Sequence, residues 1–310
     1  MLDPTDLYTI SGTPPAHAPD APLILVHALS GYVDAGDAVR LTARHLLDTL
    51  DHREIARFDI DQLFDYRARR PPMLFDEDHW AAYDAPELVV HAVTDGGGRE
   101  FLLLTGPEPD TQWERFVAAV CTLLERYGVD VTVGLNAIPL ATPHTRPIGV
   151  TRHATSRDLI PGNRPWLQQV HVPASAAHLL EFRLGEQGRK AMGIAVHVPH
   201  YVAQSEFPPA ALRLIDELRE RTGLDLPREP IATAAAATLT EIDRQVGEST
   251  DAMAMVSTLE QQYDAFMHAR NGESPLGGGT DNLPSADELA AELERFLAEQ
   301  ARRHRDDRDQ

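Results

Sequence analysis

Asp34, Glu108, His144, Arg146 and His200 are the side chains whose types and settings could do chemistry in this sequence. Each sits in a short turn that follows an apolar run. The turns read Gly31-Tyr32-Val33-Asp34-Ala35-Gly36, Gly106-Pro107-Glu108-Pro109-Asp110, Pro143-His144-Thr145-Arg146-Pro147 and Pro199-His200-Tyr201. Arg146 with His144 could hold phosphate or carboxylate through charge-assisted hydrogen bonds. Asp34 and Glu108 could then serve as base or ligand carboxylate, with Tyr32 beside them as a further lining group. Each residue has a structural reading as well. As a helix cap Asp34 needs no chemistry at all, and capping is the commonest use of Asp in that position. Glu108, fixed between prolines, can pair with an arginine. His144 and Arg146 can clamp a loop through backbone carbonyls.

Other candidates are weaker. Asp65-Tyr66-Arg67-Ala68-Arg69-Arg70-Pro71-Pro72 is a local basic knot. Arg69 and Arg70 in it could recognise a carboxylate on a partner chain, or the run could be solvated charge. His197 and His200 are three apart in extended chain and do not stack as a helical metal pair would, so no metal site is expected. Lys190 is the sole lysine and lies outside any phosphate loop. Cys121 is the sole cysteine, on the apolar side of a predicted helix, where a small buried hydrophobe is expected. No Gly-x-Ser-x-Gly elbow, His-Glu-x-x-His, P-loop or dinucleotide glycine fingerprint occurs. No cofactor is therefore expected. The formal charge of −20 argues against nucleic acid and against anionic membranes as partners. The longest early apolar run, residues 23–29, is too short to span a bilayer, so a cytoplasmic location is expected.

The elements that must position these turns follow from periodicity. Residues 23–29 read as a buried strand, and a helix capped by Asp34 runs from there to about Leu50. Ala56, Phe58 and Ile60 alternate as a strand. Residues 88–93 and 101–104 flank Asp95-Gly96-Gly97-Gly98 as a hairpin. Asp110 is expected to cap a helix whose apolar face carries Trp113, Phe116, Val117, Val120, Cys121, Leu124 and Tyr127, closed by Gly128. Residues 129–135 form a strand, 136–147 a loop, 174–184 a helix and 192–198 a strand. Pro208-Pro209 opens a helix that Gly223 closes. The alternation implies a mostly parallel sheet covered on both faces. Parallel strands would deliver the four polar turns to one rim, where open α/β sheets bind ligands.

After Pro230 two helices are expected, residues 232–246 and 252–269. Met253, Val256, Leu259, Tyr263, Phe266 and Met267 form an apolar stripe on the second, suited to docking on the main domain or a partner chain. The organisation is thus an α/β domain (1–228), a helical extension (229–271), a flexible linker (272–284), and a C-terminal helix with a charged tail (285–310), the helix capped by Ser285.

In this order the runs Gly31 to Gly36, Asp65 to Pro71, Leu104-Thr105-Gly106-Pro107-Glu108-Pro109-Asp110, Pro143 to Pro147 and Val198-Pro199-His200-Tyr201 resemble the successive signatures of the proteasome assembly chaperone two family, over roughly residues 20–270. The helix pair after Pro230 and the residue 285–298 segment resemble its actinobacterial members. The resemblance implies a three-layer α/β sandwich akin to the nucleoside phosphorylase and hydrolase folds. It also implies a homo-oligomer, a trimer being favoured, and a proteasome-related partner. The chain departs from the family's Gly-Pro-Thr-Gly turn, reading Pro161-Gly162-Asn163-Arg164-Pro165-Trp166. The sequence ends Arg308-Asp309-Gln310, so docking through the hydrophobic-Tyr-any-residue tail of eukaryotic assembly chaperones is not expected. Two functions remain open at this point. One is a non-enzymatic oligomeric binding or assembly module. The other is a small-molecule enzyme, phosphorylase- or hydrolase-like, with an anionic ligand at the strand ends.

Overall fold

The structure is a computed structural model describing residues 2–16, 21–163, 165 and 169–271. The expected linker, the C-terminal helix with its Ser285 cap, Arg164 and Trp166 lie outside the described residues.

Along the chain the elements are β1 (Tyr8–Ile10), β2 (Ile24–Ser30), α1 (Ala38–Thr49), β3 (His52–Phe58), β4 (Met73–Asp76), β5 (His79–Tyr83), β6 (Val89–Thr94), β7 (Glu100–Pro107), α2 (Trp113–Tyr127), β8 (Val131–Leu140), β9 (Val150–Ala154), α3 (Ala176–Glu186), β10 (Lys190–Pro199), α4 (Pro208–Thr222), α5 (Ile231–Gly247) and α6 (Thr250–Asn271). All strands but β4 and β5 join one sheet, in the order β1-β3-β6-β7-β2-β8-β10-β9. The central strands β7, β2, β8 and β10 are mutually parallel, and the pairs outside them are antiparallel. With β3, five of the strands point the same way, as expected of a mostly parallel sheet.

Parallel central strands are buried on both faces, and β2 and β10 show it: every residue from Ile24 to Ser30 but the last is buried, and every residue of β10 after Lys190. One face packs α1 and α4 through Val26, Leu46, Ile194, Val196 and Leu214. The other packs α2 and α3 through Leu102, Leu104, Phe116, Leu124 and Leu180. This is the three-layer sandwich. The first layer continues into the C-terminal extension, where Ile231 joins its core and Leu239 and Ile242 pack against it. Among the described residues, no helix is long and apolar enough to cross a membrane.

Three local expectations need correction. Ile60 opens a 3-10 turn instead of ending a strand. β8 runs on through Asn136 to Leu140, because β10 pairs with it along its whole length; the expected loop begins only beyond it. Asp110 does not cap α2. The capping position is Gln112 at φ 56°, and the Asp110 carboxylate instead accepts the Asp65 amide at 2.7 Å. The β4–β5 hairpin was unforeseen, since its residues show neither burial nor clean alternation.

Candidate functional site

The turns that carry Glu108, Asp34, His144 and His200 leave β7, β2, β8 and β10 in that spatial order. These strands are adjacent and parallel. All four turns therefore exit at one rim, as the sequence reading requires. What the rim does with their side chains is a separate matter, and the set divides into two groups.

On the α2/α3 side stands Glu108. Its Oε1 accepts the Ala176 amide at 2.6 Å and its Oε2 the Tyr32 amide at 3.4 Å. Burial pushes its carboxyl up, partly offset by these amides and by Arg69. The Tyr32 side chain itself is exposed. Arg69 donates to the Glu108 carbonyl at 2.5 Å, pairs with Asp110 at 2.7 Å and lies 4.5 Å from the Phe64 ring centroid. Arg69 is thus used inside the chain, whereas Arg70 is exposed.

Asp34 lies beside this group but faces α1. Its Oδ1 accepts the Val39 amide at 2.6 Å and its Oδ2 the Arg40 amide at 3.2 Å. It caps α1 from across a 3-10 turn. The chain makes that turn possible at Gly36, whose φ is 66° and where a Cβ would stand 2.8 Å from the Phe207 Cβ. Burial outweighs the two amides, and the carboxyl is pushed up to about 7.

On the opposite side His144 is 2% exposed at its side chain. Its backbone amide donates to the Tyr201 hydroxyl at 2.7 Å, its Nδ1 lies 2.5 Å from the same oxygen, and its Nε2 lies 3.0 Å from Asp243 on α5. Burial pushes the Tyr201 phenol up to about 12. Arg146 grips α6: Nε and one terminal nitrogen meet the two Asp264 oxygens at 2.8 and 2.7 Å, and the other terminal nitrogen meets Glu260 at 3.0 Å. The geometry is bidentate. Thr145 donates to Glu260 at 2.5 Å, and the Tyr263 hydroxyl to the Pro147 carbonyl at 3.1 Å. His200 packs edge-on to Tyr201, and its Nδ1 has no hydrogen-bond partner among the described residues. His197 is buried against Thr151, with Nε2 2.8 Å from the hydroxyl.

No hydrogen bond or ion pair among the described residues links Glu108 or Asp34 to His144 or Arg146. The partners that hold the second group, Tyr201, Asp243, Glu260 and Asp264, were not singled out from sequence. Tyr201 stands inside a quoted run. Glu260 and Asp264 are four apart on one helix, a spacing that offers two carboxylates to one guanidinium.

A further polar cluster lies deeper, under α3. In one cross-strand row, His27 of β2 pairs with Gly134 of β8, Gly134 with Gly193 of β10, and Gly193 with His153 of β9. A Cβ on Gly134 would stand 2.5 Å from the His27 ring and one on Gly193 2.0 Å from the His153 ring. The two imidazoles therefore rest on glycine. His153 Nδ1 lies 2.8 Å from Glu181, and its ring 6.0 Å from that of His178, both on α3. His27 Nδ1 has no hydrogen-bond partner among the described residues, and burial lowers the ring to about 4, so it is neutral at physiological pH. The sequence signal was present: one histidine in an otherwise apolar run, and single glycines inside two apolar strands. Among the described residues no group of three or more His, Cys, Asp or Glu is arranged to hold a metal ion.

A family model, the PAC2 family, matches residues 28–246. The chain belongs to the PAC2 family. Its similarity to solved PAC2-like structures extends further. A Mycobacterium tuberculosis protein of unknown function, Rv2714, is 44% identical, with a TM-score of 0.86 over 95% of this chain and 96% of that one. A Corynebacterium glutamicum protein of unknown function is 38% identical, TM-score 0.81, over 85% of this chain and 98% of that one. The Mycobacterium tuberculosis proteasome-assembly chaperone homologue Rv2125 is 25% identical, TM-score 0.68, over 76% of this chain and all (100%) of that one. No curated protein matches the chain. PAC2 membership accounts for the shared sandwich.

Proposed function

We propose that this PAC2 protein is a cytoplasmic, self-associating binding and assembly module without catalysis, and that its partner is proteasome-related. The supporting observation is the fate of Arg146. The residue best suited to bind an anionic substrate has both faces of its fork filled by Asp264 and Glu260 of its own α6. His144, Asp34 and Glu108 are likewise engaged, by Tyr201 and Asp243, by the α1 amides and by the α3 amide. A catalytic rim would keep such groups open toward a substrate. Here they fasten the helices to the sheet. The proteasome link rests on the Rv2125 homologue.

The test is reconstitution. Purified chain is added to proteasome core subunits from the same source, and the appearance of assembled particles is followed on native gels. Faster assembly together with direct binding supports the reading. Neither binding nor a change in rate overturns the partner assignment. A thermal shift with phosphate or a nucleoside, lost in His144→Ala, would overturn the reading of these rim groups as structural.

A further inference from the structure

Glu217 of α4 is 0% exposed, and a carboxylate buried so completely must be paired. Three arginines surround it. Arg152 of β9 meets it bidentately, Nε on Oε2 at 2.7 Å and a terminal nitrogen on Oε1 at 2.6 Å. An Arg213 terminal nitrogen donates to the same Oε1, and the Arg221 Nε stands 3.9 Å from Oε2, beyond hydrogen-bond reach. Arg213, Glu217 and Arg221 follow at four-residue steps on α4 and share one face of it. β9 is an outer strand of the sheet. Arg152 pairs with Ile194 in the middle of β10, so the cluster lies on the flank of the sandwich, away from the rim that carries the polar turns.

Two observations point to a ligand. The Nε atoms of Arg213 and Arg221 are buried and have no hydrogen-bond partner among the described residues. A neutral imidazole can leave one ring nitrogen bare because its hydrogen sits on the other, but a guanidinium Nε always carries a hydrogen. Among the described residues these two are the buried side-chain nitrogens that must donate and do not, and both border one carboxylate. Orphaned buried donors are costly, and a bound ion is one way a native fold accounts for them. Charge is the second observation. Arg152, Arg213 and Arg221 face Glu217 and, at the surface, Glu220, which pairs with Arg221. Three guanidiniums thus stand against two carboxylates in a chain of charge −20. The neighbouring Asp216 is matched by Arg228.

The donors decide the chemistry of the ligand. Two guanidiniums that each offer a two-nitrogen edge need more than two acceptor oxygens between them. A carboxylate brings two, whereas a phosphate group brings at least three. Arg213 and Arg221 are partly exposed, and arginine grips phosphate bidentately. We propose that Arg213 and Arg221, anchored on Glu217 beside Arg152, form a binding site for a small phosphate ligand, each guanidinium turning its Nε edge onto the phosphate oxygens. Glu220 competes with the phosphate for Arg221. The site is independent of the assembly role and of the rim groups.

The experiment titrates the full chain with inorganic phosphate and, in parallel, with a phosphate monoester, glycerol phosphate, and follows melting temperature and heat of binding. Acetate at matched ionic strength is the control. At least one phosphate probe should bind saturably and raise the melting temperature, and acetate should not. A monoester bound more tightly than inorganic phosphate marks a phosphorylated small molecule as the ligand, and the reverse order marks free phosphate. The double variant Arg213→Gln/Arg221→Gln should bind at least about tenfold more weakly, because it loses hydrogen bonds between charged groups. Glu220→Gln, a change at an exposed residue that leaves the Glu217 pairs in place, should bind more tightly, and it keeps the test decisive if the double variant folds poorly. His144→Ala should bind as the wild type does. No saturable binding of either probe at millimolar concentration, an equal response to acetate, binding that His144→Ala abolishes, or an affinity that Glu220→Gln leaves unchanged overturns the proposal.

Discussion

Glu108 Oε1 stands 2.6 Å from the Ala176 amide nitrogen, so a carboxylate from the end of β7 closes the first turn of α3. A helix N-terminus presents unpaired amides and a positive dipole end, and an acidic group there is stabilising. With Ser175 capping the same turn by accepting from the His178 amide at 3.1 Å, this contact fixes the helix that roofs the histidine row. Glu108→Ala should cost about 1–3 kcal/mol, the range for leaving buried donors unpaired. Glu108→Gln, which still offers an acceptor, should cost less. Urea unfolding at neutral pH measures both.

Asp34 gives the fold a pH dependence whose sign follows from its burial. Its folded value of about 7 lies above the ordinary 3.8. The folded chain therefore holds this proton more tightly than the unfolded chain. The stabilisation is complete below about 3.8 and is lost as pH rises through about 7. Asp34→Asn cannot ionise but loses an acceptor. Relative to wild type it should look worst near pH 4 and gain by a few kcal/mol by pH 8, because each tenfold difference in proton affinity between the folded and unfolded chains is worth about 1.4 kcal/mol. Equal pH profiles for the two proteins would count against this account.

His27 acts in the opposite direction. Its folded value is about 4 against 6.5 unfolded, so its contribution is present above 6.5 and drains away as pH falls through 4. His178 is also lowered, by burial and by His153. His27→Leu should be less acid-sensitive than wild type between those limits, by up to about 3 kcal/mol. Chemical denaturation at pH 7.5 and 4.5 gives the comparison.

The glycine row should show as coupling. Gly134→Ala puts a methyl 2.5 Å from the His27 ring and should cost about 1–3 kcal/mol by overpacking. Shortening the ring in the double variant Gly134→Ala/His27→Ala should recover part of that loss. A double-mutant cycle with coupling below about 0.5 kcal/mol would show that the two sites are independent.

Arg146 should report on α6 alone. Arg146→Ala removes three of the contacts that hold α6 to the turn after β8. Amide exchange across residues 250–271 should accelerate, while β2, β8 and β10 keep their protection. Higher salt in the wild type should move α6 the same way, since the pairs are partly exposed. Uniform acceleration through the sheet would mean that the turn supports the core as well.

The sandwich was legible because apolar runs, glycine stops and helical stripes are local patterns, and burial of parallel strands on both faces leaves few other solutions. Residues 23–29, the helix face from Trp113 to Tyr127 and the hairpin at Asp95 were read directly from spacing. So was the shared rim, which follows from strands running the same way. The sequence could not say where the polar turns spend their hydrogen bonds. Asp34 belongs to α1, Glu108 to α3, and His144 and Arg146 to helices about a hundred residues downstream. Those pairings depend on which helix lies over which strand end, a distance that no local period encodes. The same holds for Asp110, whose composition suited a cap until Asp65 and Arg69 folded against it, and for His27, whose row of glycines exists only once β2, β8, β10 and β9 stand side by side.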